Sequence, residues 1–183
     1  MKRYLAIIPV ILILCTSACT LPSTVPDQSP KAPAQVYFSP NGGCTEAIIK
    51  EIDAAKSEVL VQAYYFTSAP IGKALIDAHK RGIRVEVILD RSQVKPDGQY
   101  CPAKFFFDAG IPVYIDSAHQ IAHNKIMIID RATVITGSFN FTRTAEEKNA
   151  ENLLVIPSKE LAAKYLENWQ KHSEHSEKYE VKQ

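Results

Sequence analysis

The chain has no surplus of positive charge. Lys and Arg total 21 against 20 Asp and Glu in 183 residues. Residues 1–19 hold Lys2 and Arg3 and no acid, so the remainder carries 19 basic and 20 acidic side chains, a formal balance of −1. A broad basic face for polyanions leaves a basic excess in the composition; here any attraction for phosphate has to be local. An apolar run long enough to cross a bilayer is also missing. The run over residues 4–15 has twelve residues, and a spanning helix needs about 20. Large apolar side chains are nearly absent from residues 20–34, TLPSTVPDQSPKAPA, which carry four prolines and read as an extended linker. Cysteine is scarce, and outside the leader only Cys44 and Cys101 remain. Their spacing offers no metal pattern.

What is present divides the chain into four parts. Residues 1–19, MKRYLAIIPVILILCTSAC, place two cations before the apolar run and small residues at its exit, the order of a secretory signal. Thr16-Ser17-Ala18-Cys19 is similar to the bacterial lipoprotein signal, with Thr16 where Leu is usual, and makes Cys19 a candidate lipidation site. An acylated Cys19 would hold the protein to a membrane by acyl chains. The expectation is export to the periplasm, either anchored or released. Residues 20–34 follow as linker, 35–172 as one folded domain, and 173–183, SEHSEKYEVKQ, as a flexible tail. With 46% hydrophobic and 22% charged residues, a single core is expected. In an oxidising compartment Cys44 and Cys101 form a candidate disulfide, although sequence does not show whether they meet.

Within the domain, strands are expected at 36–38, 58–66, 85–89, 113–115, 133–136 and 152–156. Helices are expected at 45–56 with Thr45 as N-cap, and at 70–81, 102–109 and 158–172. The alternation predicts an α/β fold, a mixed and mostly parallel β-sheet flanked by helices on both faces. The polar loop 90–100 follows a strand end, where α/β proteins bind ligands, and reads equally as a plain surface loop.

Residues 121–141, IAHNKIMIIDRATVITGSFNF, carry the chemistry. A strand over 121–129 sends His123 and Lys125 to one side. Asp130-Arg131 turns the chain, and the returning strand brings Ser138 and Asn140 back toward them. Imidazole, ammonium, hydroxyl and amide around one point suit a phosphodiester: Lys125 supplies positive charge, Ser138 and Asn140 supply donors to non-bridging oxygens, and His123 can be nucleophile or proton donor. Asp130, after four buried apolar positions, falls at the far end of the strand.

The spacing H-x-K, four residues, D, six residues, G-S-x-N resembles the signature of the phospholipase D superfamily. Here it is filled by His123, Lys125, Asp130, Gly137, Ser138 and Asn140. The likeness runs over about residues 35–169, and the single copy is similar to small bacterial endonucleases of that superfamily. The resemblance implies a phospholipase D-like layered fold and a cofactor-free two-step reaction in which one His123 forms a phosphohistidine and another protonates the leaving oxygen. It implies that Glu151 orients the imidazole and that Asp130 supports local structure. It also implies a homodimer, because no second H-x-K exists: His79, His119 and His172 are followed by Lys80, Gln120 and Ser173. The expected substrate is DNA, or RNA. The alternatives are phospholipid headgroup hydrolysis and non-catalytic nucleic-acid binding, the latter leaving His123 and Glu151 without a purpose. A metal pair of His119 and His123 is disfavoured, because the segment reads as loop and strand and only Asp116 stands nearby.

Overall fold

Two stretches are apolar enough to lie at the middle of a sheet. Residues 58–63, EVLVQA, and 125–129, KIMII, are buried at every position. The computed structural model describes residues 33–96 and 99–181; the expectations for the leader, Cys19 and most of the linker lie outside the described residues. In chain order the elements are β1 (Gln35–Ser39), α1 (Cys44–Ala54), β2 (Glu58–Ala63), α2 (Ala69–Lys80), β3 (Arg84–Asp90), α3 (Pro102–Asp108), β4 (Val113–Asp116), β5 (Lys125–Ile129), β6 (Thr133–Gly137), α4 (Arg143–Glu147), β7 (Glu151–Pro157), α5 (Lys159–His175) and β8 (Glu177–Lys178). They build one sheet in the order β1-β7-β6-β5-β2-β3-β4-β8, with β2 and β5 side by side at its centre.

The α/β class and the covering of both faces are as expected. The sheet is mixed, but its parallel part is confined to β2, β3 and β4. The other five pairings are antiparallel: β5 and β6 form a tight hairpin, and β7 returns beside β6 after the connection that carries the short helix α4. This wiring has a functional result. It gathers the C-terminal ends of β1, β2, β3, β4 and β6 and the N-terminal ends of β5 and β7 at one end of the sheet.

Alternation along the strands assigns each face its cover. Val59, Val61, Val85, Val87, Met127 and Ile135 pack with Ile48 and Ile52 of α1, Ile71 and Leu75 of α2 and Phe106 of α3. Leu60, Ile88, Ile128 and Val134 point the other way and meet Ala162 and Trp169 of α5. The Trp169 indole donates to the Val61 carbonyl at 3.1 Å, so the polar handle of this large side chain is satisfied.

Three local expectations are corrected. Helix α1 begins after Gly43, which has φ 81° and no side-chain cap; the Glu146 carboxylate accepts from the Gly43 and Thr45 amides at 3.3 and 2.7 Å, replacing the expected Thr45 cap. Cys44 and Cys101 are both buried and free, so they form no disulfide. Burial, with the charges of Glu146 and Glu46, pushes the Cys44 thiol up to about 11, far from the thiolate. The expected tail does not fray at 173: α5 continues to His175, and β8 then pairs with Tyr114 and Ile115. The Tyr179 ring lies 5.7 Å from Phe107, a contact that polar composition conceals.

Candidate active site

The β5–β6 hairpin places the motif at its two ends. At the turn, Asp130 and Arg131 both have φ 52°, and Ala132 donates to the Ile129 carbonyl at 2.9 Å, so two successive left-handed residues reverse the chain between the paired Ile129 and Thr133. The Asp130 carboxylate accepts from the amides of Lys56, Ser57 and Glu58 at 2.8, 2.7 and 3.0 Å and from the Ser57 hydroxyl at 2.8 Å. Burial pushes this carboxyl up, but those donors outweigh it and hold it below the usual range. Arg131 donates to the buried Glu58 carboxylate at 2.7 Å. Asp130 thus binds the hairpin turn to the start of β2, at the opposite end of the strands from the other motif residues.

At the open end the structure differs from the expected strand. β5 begins at Lys125, so His123 precedes it and is exposed while Lys125 is buried. The cause is Asp90 at the end of β3: its carboxylate accepts from the Ala122 amide at 2.8 Å and the Ser92 amide at 2.8 Å, drawing the chain away from the sheet before His123. One ladder bond persists between, from the Tyr64 amide to the Asn124 carbonyl at 2.9 Å. The His123 ring rests against Tyr64, centroids 4.6 Å apart. Lys125 lies 5.2 Å over the same ring and donates to the His123 carbonyl at 2.7 Å. Burial pushes the Lys125 ammonium down, and the Glu151 charge pulls it part of the way back.

The register Met127↔Ile135, carried two residues further along each strand, sets Lys125 level with Gly137. Gly137 has φ 150°, and a Cβ there would lie 2.2 Å from the Asn152 carbonyl oxygen, so no side chain fits. That close approach delivers Ser138 to β7. The amides of Ser138 and Phe139 both donate to the Asn152 carbonyl, at 3.1 and 3.2 Å, and the Asn152 amide donates to Ser138 Oγ at 3.1 Å. The next residues bend to the loop after β2, where Thr67 and Ser68 donate to the Phe141 carbonyl at 2.9 Å each. Between them Asn140 is fixed with its Oδ1 buried and, among the described residues, without a hydrogen-bond partner. A buried amide group left unmatched at a strand end is poised for an outside partner.

Glu151 opens β7. Its amide donates to Ser39 Oγ at 3.2 Å and its carboxylate accepts from Asn149 Nδ2 at 3.1 Å. Among the described residues no hydrogen bond joins Glu151 to His123; its charge reaches Lys125 instead. Sequence reasoning missed Asp90, Tyr64, Ser39 and Asn152, which position the motif residues. Only Asp90 had a signal, an acid closing the apolar strand VEVIL. His119 does not join His123: its Nδ1 stands 3.0 Å from Asp116 Oδ1, and His172 and His175 approach the same carboxylate from α5. The count of one available further ligand was therefore too low.

Comparison with known proteins agrees with this geometry. Residues 48–173 match the family described as cardiolipin synthase, PLD-like domain. A phospholipase D from Rickettsia felis is 47% identical over 132 residues, 72% of this chain and 65% of that one, so the chain spans just under two thirds of that relative's length. A mitochondrial cardiolipin hydrolase from Canis lupus familiaris is 28% identical over 151 residues, 77% of this chain and 59% of that one. The crystal structure of Nuc from Salmonella typhimurium, a phospholipase D family member, superposes with a TM-score of 0.74 at 37% identity, covering 81% of this chain and 99% of that one. The hairpin with its motif residues at both ends, on a fold shared along almost the whole of Nuc, agrees with the family match: this chain belongs to the phospholipase D superfamily.

Proposed function

We propose that the protein is an exported endonuclease that cleaves DNA, or RNA, through a phosphohistidine in a site completed by a second copy of the chain. The observation that carries the substrate choice is the open aromatic platform beside the nucleophile. Tyr64 and Tyr65 have ring centroids 4.2 Å apart, Tyr65 is 41% exposed, and the exposed His123 lies against Tyr64. An exposed ring and a half-buried one beside it, inclined to each other by 56° next to a buried ammonium, suit a strand whose bases stack while its phosphate docks locally. Support also comes from Nuc, a chain matched over 99% of its length.

His123 attacks phosphorus, forming a P–N bond as the P–O bond to the leaving sugar oxygen breaks, and the His123 of the second copy gives that oxygen its proton. The same second imidazole then removes a proton from water, which attacks phosphorus and breaks the P–N bond. Lys125, Ser138 and Asn140 bind the non-bridging oxygens, and Asn140 Oδ1 is the group left for a protonated partner. Glu151, through its charge, favours the protonated form of the Lys125 ammonium against the effect of burial. One chain supplies one His123, so the reaction needs two chains related by a two-fold axis.

A phospholipid substrate is the second reading. It is favoured by the phospholipase D and cardiolipin hydrolase names of the relatives and by the exposed Phe38, 64% accessible, in the strand that ends beside Glu151. The separating experiment presents the leaderless protein with plasmid, single-stranded DNA, RNA and labelled phosphatidylcholine. Cleavage of DNA with intact lipid is expected; lipid hydrolysis with intact DNA and RNA would reject the nuclease. Light scattering should give the mass of a dimer, and an active monomer would reject the shared site. Mass spectrometry of the membrane fraction tests the acylated Cys19 and the periplasmic location.

A further inference from the structure

Three of the five histidines converge on one carboxylate away from the motif. Asp116 ends β4 with no exposed surface. His119 Nδ1 lies 3.0 and 3.1 Å from its two oxygens, His172 Nδ1 2.7 Å and His175 Nε2 3.4 Å from Oδ2. The rings form a nearly equilateral triangle, with centroid separations of 5.0, 5.1 and 5.1 Å. One possible ligand atom from each of the four residues falls within 4.8 Å of all the others.

Hydrogen bonding alone explains this arrangement poorly. A buried carboxylate can be satisfied by two donors, and three imidazoles at mutual contact cannot all be charged without repelling one another. A tetrahedral zinc ion has ligands at about 2.0–2.1 Å, which places them roughly 3.3 Å apart. The carboxylate-to-imidazole separations already bracket that value. His119 and His175, with side chains 47% and 35% exposed, are free to close the remaining gap, while Asp116 is fixed. The spacing is compact on both sides: Asp116 and His119 are three residues apart, as are His172 and His175 in the last turn of α5.

We propose that Asp116, His119, His172 and His175 bind one zinc ion. Three imidazoles and a carboxylate suit zinc rather than magnesium or calcium, which take oxygen. Four protein ligands fill the tetrahedron and leave no position for a reacting water, so the ion is a structural clamp. It fastens the end of α5 to β4 at the edge of the sheet. It also fixes the start of the segment 117–124, which carries His123 near its other end and whose middle is held by Arg91, donating to the Gln120 carbonyl at 3.3 Å, and by Asp90 at Ala122. The proposal is independent of the substrate.

The test uses untagged leaderless protein, stripped with chelator, dialysed and titrated with zinc chloride. Metal analysis should find one zinc per chain, and the melting temperature should rise by about 5 °C or more at 100-fold excess over Kd. Cobalt chloride in place of zinc should give the visible absorption of a tetrahedral centre. His119→Ala and His175→Ala, both at accessible positions, should each keep their fold by circular dichroism and lose the thermal shift; His79→Ala, outside the cluster, should keep it. A stripped wild type that takes up no zinc, or uptake undiminished in both cluster variants, overturns the proposal.

Discussion

The two ends of the β5–β6 hairpin are built by opposite rules. At the turn, both oxygens of the Asp130 carboxylate accept hydrogen bonds from Lys56, Ser57 and Glu58 at the entry to β2, and the carboxyl is held low by them. At the other end Asn140 Oδ1 is buried and, among the described residues, unmatched, Lys125 is buried with its ammonium pushed down, and His123 stands in solvent. The same five-residue strands therefore carry a satisfied, stabilising end and an unsatisfied, reactive one. Unmet polar demand costs stability, and the turn offsets part of it.

Breaking the open end should remove chemistry and spare the fold. His123→Ala should lower phosphodiester cleavage by at least about 10⁴-fold, with a melting temperature near that of the wild type because the ring is exposed. Residual cutting close to wild type would reject His123 as nucleophile. Lys125→Met keeps the buried volume and removes the charge; a loss of about 10²–10³-fold in kcat is expected, and an equal rate would show that the ammonium does not face phosphate.

Breaking the closed end should do the reverse. Asp130→Asn should cost about 1–2 kcal/mol of stability in denaturant melts while kcat changes little. Because the folded carboxyl lies below its unfolded value, its contribution is full above about pH 4 and is lost as pH falls through the lower folded value. The variant should therefore lose less stability than the wild type on acidification; parallel acid profiles would disprove this. The smallest effect links the ends' electrostatics to rate. Glu151→Gln removes the charge that pulls the Lys125 ammonium up, so the alkaline limb of the pH–rate profile should move to lower pH, and an unmoved limb would place Glu151 elsewhere in the mechanism.

The reactive end was legible in the sequence because its residues are local. His123, Lys125, Ser138 and Asn140 fall within 18 positions, and strand periodicity and one turn bring them to one end. The strand–helix alternation likewise pointed to the parallel pair β2 and β3, but β1, read as part of the same alternation, pairs antiparallel with β7 at the other edge of the sheet. What escaped was long-range. The direction of β5 against β2 depends on which neighbour it pairs with, and the strand β8 is two polar residues whose partner lies over 60 positions away. The role of Asp90 depends on a bond to Ala122, 32 residues on. His172 closed the expected helix and His175 fell in the polar stretch read as a tail, so the two were not seen as a pair, although their spacing repeats that of Asp116 and His119.

Gly137 carries one more consequence. Its hydrogen is the only substituent that the Asn152 carbonyl tolerates there. A slip of β6 by one residue along β7 would bring Thr136 or Ser138 to that point, and either Cβ would collide with the backbone. A slipped sheet, which would also turn the apolar set of β6 outward, is thereby rejected sterically. The contact that seats Ser138 acts as a proofreader of strand alignment, so a chain that has assembled a phosphate cradle has also verified its own register.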